Sequence, residues 1–305
     1  MRTGHRSMPR FPPPLASLVI ERLRRRFCVG YELPPWLVQL LDDALVPYLD
    51  LRLHPVRFMD DLMFAAHASC RDTQAALFPL AVSETEVIAT AGLREAMCRF
   101  ISEARVPDDT LLVVGQRPFD SSQIVDGRFF DARRRAPEIH AICAQHRAVI
   151  LKPHPHDKEH SLLAVAATAS APVLGVITDN LYRMVALPQV STVLTVNSSV
   201  AHEAPYFGKR VHTLAPLPIR PGWSCEAPEP ELYASLDDVV LTPDFWRTVL
   251  APHAPVSKPD GIRLRPKPNR LRIAFDSFWN FQEIDTDPVF LGENQWSVVR
   301  NETDH

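Results

Sequence analysis

Between residues 111 and 214, five short apolar runs alternate with segments of helical character, and this alternation constrains the fold more than any other feature. The runs are residues 111–115, 148–151, 173–177, 192–196 and 210–214, and residues 133–146, 160–169, 181–187 and 200–207 lie between them. Strands that are continuously apolar are buried on both faces, and helices between them cover those faces, which is the arrangement of a parallel sheet. The pattern predicts a Rossmann-like domain, with a five-stranded parallel sheet, over residues 106–251.

The flanks are less regular. Residues 15–27 and 34–45 read as helices, and 48–53 and 62–66 as strands. Glu84–Ile101 reads as a long helix with Ser83 as its cap and Glu86 completing a capping box. Residues 1–105 are therefore expected to form a second, smaller α/β domain. After residue 251 a proline-rich connection runs to Pro268. Leu271, Ile273, Phe275, Phe278 and Trp279 then make residues 269–281 amphipathic. Residues 252–305 are expected to pack back on the N-terminal domain.

Composition removes several function classes. Lys plus Arg is 33 against 36 Asp plus Glu, a net charge of −3, so a basic nucleic-acid binder is not expected. With 29 prolines and only 10 glycines, a glycine-rich phosphate loop cannot be the main device. The five cysteines, Cys28, Cys70, Cys98, Cys143 and Cys225, form no C-x-x-C pair and are odd in number, which fits a reducing compartment. The apolar stretch 162–177 is interrupted by Thr168, Ser170 and Pro172 and is too short to cross a bilayer. The N-terminal apolar run 15–20 precedes its arginines rather than following them, the reverse of a signal peptide. A cytoplasmic protein is expected, peripheral at the inner membrane.

Ligands of parallel α/β sheets bind outside the carboxyl ends of the strands. Four such ends carry polar clusters: Gln116, Arg117, Asp120, Ser121 and Ser122; then Lys152, His154 and His156; then Thr178, Asp179 and Asn180; then Asn197, Ser198, Ser199, His202 and Glu203. Ser198 and Ser199 stand where a strand turns into a helix, a place suited to a phosphate; the plain alternative is an N-cap. Glu203 lies one turn further on, where it can accept from ribose hydroxyls or simply be a solvated charge. In Lys152-Pro-His-Pro-His156 the prolines hold the backbone extended, aiming His154 and His156 to one side. No third ligand stands at a diagnostic spacing, so no metal is expected; a lysine and a histidine directed at a leaving phosphate fit better. Asp120 follows the first strand and can be a nucleophile or base toward a sugar carbon, or the cap of its own turn.

The ordered set GQ-x-x-x-DSS (115–122), KPHP (152–155), S-x-x-x-EA (199–204), GKRV (208–211) and PGW (221–223) resembles the retaining β-Kdo glycosyltransferases of bacterial capsule and lipopolysaccharide assembly. The resemblance covers residues 111–224. It implies a GT-B-like fold and transfer of Kdo from CMP-Kdo to a surface glycan, with no resident cofactor. It also implies roles by position. Asp120 is the nucleophile, with Gln116 beside it in the cleft. His154, Ser198 and Ser199 lie at the CMP phosphate, with Lys152, and Glu203 at the ribose. Asp60 or Asp61 is a candidate for the acceptor's base. The expected partners are a CMP-sugar donor and a glycan acceptor, with other polysaccharide-assembly proteins and the inner membrane as peripheral contacts. Three alternatives stay open at this level: transfer of another CMP-activated acid sugar such as a sialic acid, a noncatalytic glycan- or nucleotide-binding module, and a membrane-surface protein using the basic helix near Arg22 to Arg26.

Overall fold

The computed structural model describes residues 13–101, 106–117, 120–125, 127–154, 161–177, 179–226, 228–257 and 269–275. His156 and Thr178 lie outside the described residues, as do Phe278 and Trp279 of the terminal amphipathic stretch. In chain order the strands are β1 Cys28–Tyr31, β2 Tyr48–Leu53, β3 Phe64–Ala68, β4 Thr110–Val114, β5 Ile124–Val125, β6 Arg128–Phe129, β7 Ala148–Lys152, β8 Val173–Val176, β9 Val190–Thr195, β10 Arg210–Thr213, β11 Pro221–Gly222 and β12 Tyr233–Leu236. The chain divides into two compact units, one holding the residues through Val87 together with Ile219–Ser277, the other Ile88–Pro218.

The second unit contains the five-stranded parallel sheet, with strand boundaries within two residues of the apolar runs. The order is β10-β9-β4-β7-β8. Counted along the chain from β8 this is 3-2-1-4-5, the Rossmann order, and the connection reverses direction between β4 and β9. The reason is legible in β4: all five residues of Thr-Leu-Leu-Val-Val are buried, as a central strand covered on both faces requires. On one face Leu111, Val113, Val149, Leu151 and Leu194 form a core with Ile139 and Cys143 of helix Ala136–Cys143 and Leu162, Leu163 and Ala166 of helix Ser161–Ala167.

The strand starts are tied by one residue. Asp109, in the left-handed region at φ 61°, accepts at Oδ1 from Ser191 Oγ at 2.7 Å and lies 3.0 Å from His146 Nδ1. These contacts hold its carboxyl below the usual range, the Ser191 hydrogen bond contributing most. Gly208, at φ 70°, ends the helical turn Ala204–Phe207 and leads into β10, and the next residue, buried Lys209, donates to the Leu187 carbonyl at 2.8 Å. The GKRV motif is therefore a turn and an anchor in this chain.

The expected domain limits need correction. The sheet domain ends at Pro218 rather than residue 251, and the first unit is not a smaller domain of residues 1–105. Its sheet, ordered β1-β2-β3-β12-β11, is completed by the two strands that follow Ile219. β1, β12 and β11 escape the sequence pattern because they are short and β12 pairs with β3 from 160 or more residues away, as in Leu236 opposite Phe64. The register separates two faces. Leu49 faces Ala68, Leu51 Ala66 and Leu53 Phe64, all within one apolar core with Phe78, Leu236 and Phe245. The opposite face brings together Asp50 and His67, with Arg52 two residues on.

PGW, expected in the regular half of the chain, belongs to this first unit. Gly222 in β11 is required for packing: a Cβ there stands 2.8 Å from Phe78 Cε1 and 3.0 Å from Leu232 Cβ. Gly222→Ala is expected to destabilise the first unit by roughly 1–3 kcal/mol through overpacking, read as a lowered denaturant midpoint. An unchanged midpoint means that the Phe78 ring gives way freely.

The terminal helix Arg270–Phe275 also belongs to the first unit, and it explains Asp61. The Asp61 carboxylate accepts from Leu62 N–H at 2.8 Å, Leu271 N–H at 2.9 Å and Arg272 N–H at 2.8 Å. Both oxygens thus satisfy the open N-terminus of that helix. Arg272, 1% exposed, sends its guanidinium back to the carbonyls of Arg57 (2.7 Å), Met59 (2.9 Å) and Asp60 (3.1 Å). Asp61, the residue that sequence offers as an acceptor base, is one half of a clasp in the structure.

Candidate functional site

The residues singled out by sequence in the second unit sit at the carboxyl edge of its sheet, on the loops after β4, β7, β8 and β9. Four sets of contacts join these loops. The loop after β4 meets that after β7 because Gly115 N–H donates to the Lys152 carbonyl at 2.8 Å. A Cβ on Gly115 stands 3.1 Å from the His154 backbone nitrogen, so only glycine lets the two backbones approach without a shift. The Lys152 ammonium, buried at the end of β7, donates to the Asp179 carbonyl at 2.5 Å, joining the second loop to the third. Asn180 caps helix Leu181–Val185 through its Oδ1 and Tyr182 N–H, and the Tyr182 hydroxyl donates to Glu203 Oε1 at 2.8 Å, joining the third to the fourth.

The remaining link spans the switch point between β4 and β9. Gln116 Nε2 donates to Asn197 Oδ1 at 2.9 Å and to Ser122 Oγ at 3.0 Å. Asn197 answers with its backbone N–H to Gln116 Oε1 at 3.2 Å and with Nδ2 to the carbonyls of Ser122 (2.6 Å) and Pro216 (3.2 Å). Two amide side chains thus bridge the place where the strand order reverses and where such sheets open a crevice.

Asp120 lies beside this bridge, half-buried. Its Oδ1 accepts from Ser122 N–H at 2.9 Å, capping the turn Ser121–Gln123. Ser122 therefore serves both neighbours, its N–H holding Asp120 and its hydroxyl accepting from Gln116. Ser198 and Ser199 are half-buried at the start of the short helix Val200–Glu203, and Ser199 makes no side-chain cap bond, so the plain N-cap reading does not describe it. Glu203 is 2% exposed, a buried carboxylate oriented by Tyr182 rather than a solvated helix charge. The carboxyl edge of the second unit thus gathers Gln116, Asp120, Lys152, His154, Ser198, Ser199 and Glu203, whereas Asp61 lies in the first unit.

Sequence reasoning placed Asn197 in the fourth loop without a role, and it missed Tyr182. Asn197 is marked only by following a strand directly. Tyr182 sits in Leu-Tyr-Arg-Met-Val, which reads as core, and nothing in that run signals a hydroxyl partner 21 residues on.

His202 is neutral in the folded chain. Burial pushes its imidazole down to about 4, and its Nε2 meets no hydrogen-bond partner among the described residues. The unfolded chain takes up a proton near pH 6.5, so between about 6.5 and 4 the unfolded state holds more protons than the folded one. Stability is expected to fall as pH drops through that window, and His202→Gln to flatten the fall in denaturant midpoints. Parallel curves for the two proteins mean that His202 is hydrated.

The first unit carries a polar cluster that the sequence did not announce. Asp50, 1% exposed, accepts from Leu33 N–H at 2.9 Å, Arg52 Nε at 2.7 Å and the Tyr233 hydroxyl at 3.2 Å. Arg52 lies over the Tyr233 ring at 5.7 Å, and burial raises the Tyr233 hydroxyl to about 12, keeping it a donor. Above it, His54 Nδ1 accepts from Val56 N–H at 3.0 Å, which leaves its Nε2 to donate to Ser235 Oγ at 2.9 Å, and Ser235 donates to the Gly222 carbonyl at 2.9 Å. Each described partner in this chain is matched, the mark of a framework rather than of an open site.

Among the described residues no three His, Cys, Asp or Glu side chains gather as a metal site would need, and no single helix is long and apolar enough to cross a membrane. All five cysteines are free thiols. No protein-family model matches the chain, and no curated protein matches it significantly. Among solved structures, the β-Kdo 2,7 transferase KpsC of Thermosulfurimonas dismutans aligns over 66% of this chain and 68% of its own, at 14% identity and a TM-score of 0.36. That likeness is too loose to carry an inference, and what stands is an α/β chain with a Rossmann-like parallel sheet whose carboxyl edge is polar and cross-linked.

Proposed function

We propose that the chain is a metal-independent glycosyltransferase that transfers Kdo from CMP-Kdo with retention, in a GT-B-like fold. The observation that carries this reading is the bridged switch point: Gln116, Asn197, Ser122 and Asp120 stand together between β4 and β9, where sheets of this order take nucleotides. Three of the five motifs that resemble the β-Kdo transferases, GQ-x-x-x-DSS, KPHP and S-x-x-x-EA, fall on the loops around it. CMP lies with its phosphate toward Ser198, Ser199 and His154 and its ribose toward Glu203, whose carboxylate Tyr182 holds. Asp120 attacks the anomeric carbon as the C–O bond to CMP breaks. His154 and Lys152 stabilise the charge that develops on the departing phosphate. The acceptor hydroxyl then displaces the aspartate, and two inversions give net retention.

Calorimetry with CMP tests the donor site. Ser199→Ala and His154→Ala are each expected to weaken binding by about 1–3 kcal/mol, the worth of a charge-assisted hydrogen bond. Unchanged affinity in both places the nucleotide elsewhere. A panel of CMP-activated acid sugars separates Kdo from sialic acid donors, and CMP binding with no turnover on any of them marks a noncatalytic module.

A further inference from the structure

We propose that the helix Pro13–Leu23 and the arginines after it dock the chain on an anionic lipid bilayer. The helix has two distinct sides. Ile20 and Leu23 face inward, packed on the cluster of Leu41, Val46 and Tyr48. Leu15 and Leu18 stand 48% and 50% exposed, and with Arg22 they follow the i, i+3, i+7 spacing of a single outward stripe. The stripe runs into Arg24, Arg25 and Arg26, all exposed.

Charge is concentrated at this end of the chain. Seven arginines and one glutamate give residues 1–26 a net +6, in a chain whose total is −3, so the other 279 residues carry −9. Charge complementarity thus selects an anionic partner for this end and repels one from the rest. The helix C-terminus favours a cation in its last turn, which accounts for Arg22 but not for three more arginines beyond it. Arg25 adds a separate observation. It holds φ 64°, the left-handed conformation that follows many helices and that glycine adopts without cost. An arginine there is kept against its backbone preference.

The exposed leucines decide which anion. A nucleic-acid backbone offers nothing for Leu15 and Leu18 to enter, whereas a bilayer offers acyl chains beneath its headgroups. At 11 residues the helix is too short to span, so it lies in the interface with its leucines down and its arginines among the phosphates. The surface belongs to the first unit and does not depend on the transferase reading.

Vesicle co-sedimentation of the full chain tests this. The chain is expected to pellet with phosphatidylcholine vesicles containing phosphatidylglycerol, not with phosphatidylcholine alone, and to be released by salt. Arg24→Glu with Arg26→Glu is expected to lower partitioning by at least about twentyfold, at about fivefold per arginine, and Leu15→Ser with Leu18→Ser by about tenfold. Arg25→Gly is expected to raise the thermal midpoint while lowering partitioning about fivefold, an outcome that no merely structural arginine produces. Equal pelleting with neutral vesicles, or full retention in both double variants, overturns the proposal. So does single-stranded RNA binding that survives Leu15→Ser with Leu18→Ser while anionic vesicles bind nothing.

Discussion

Asp120→Asn is expected to abolish sugar transfer, by about a thousandfold or more, while leaving the fold and CMP affinity intact. The choice of asparagine follows from the structure. Asp120 Oδ1 caps the turn Ser121–Gln123 by accepting from Ser122 N–H at 2.9 Å, and an asparagine carbonyl can accept the same bond. Asp120→Ala removes both the cap and the nucleophile, at a cost of about 1 kcal/mol in stability. The pair of variants separates the two roles that one carboxylate can hold. If Asp120 only caps its turn, the asparagine variant is fully active and the alanine variant slightly unstable. If Asp120 attacks the anomeric carbon, both are inactive, and in the native protein CMP-Kdo without acceptor leaves a Kdo-sized mass increment on the peptide containing Asp120. Loss of transfer with inversion in the native product makes Asp120 a base, and the double displacement then fails.

Arg272→Met is expected to destabilise the first unit by at least about 3 kcal/mol. The guanidinium is 1% exposed and serves the carbonyls of Arg57, Met59 and Asp60. Hydrogen bonds from a charged donor contribute about 1.5–3 kcal/mol each, and methionine removes all three of those made by the guanidinium while filling a similar volume. Arg272→Lys keeps the charge but loses the planar fork, so it is expected to recover less than half of the loss. Tryptophan fluorescence reads this through Trp36, Trp223 and Trp246 of the first unit once Trp279 and Trp296 are replaced by phenylalanine, since residues 88–218 contain no tryptophan. A methionine variant with a native midpoint means that the loop 57–60 does not depend on the terminal helix. Asp61→Asn is the complementary variant: it keeps an acceptor for the helix N-terminus but removes the negative charge beside Arg272.

Sequence by itself determined the parallel sheet of this protein. Its inner strands β9, β4 and β7 are local and largely apolar because both faces are covered, so burial wrote itself into composition, as in β4 with every residue inside, while the edge strands β8 and β10 are only partly buried. The same locality made the polar loops legible, since in a sheet of this kind the residues after each strand must arrive at one edge. Only tertiary structure decided the rest. β11 and β12 complete a sheet begun more than 150 residues earlier, and a two-residue strand such as Pro221–Gly222 carries no period of its own. The role of Asp61 depended on a helix some 210 residues away, and a carboxylate that caps a distant helix looks in sequence like one poised for catalysis. Tyr182 and Glu203 likewise became partners through the packing of two helices, because a side-chain hydrogen bond between separate elements has no spacing rule to betray it.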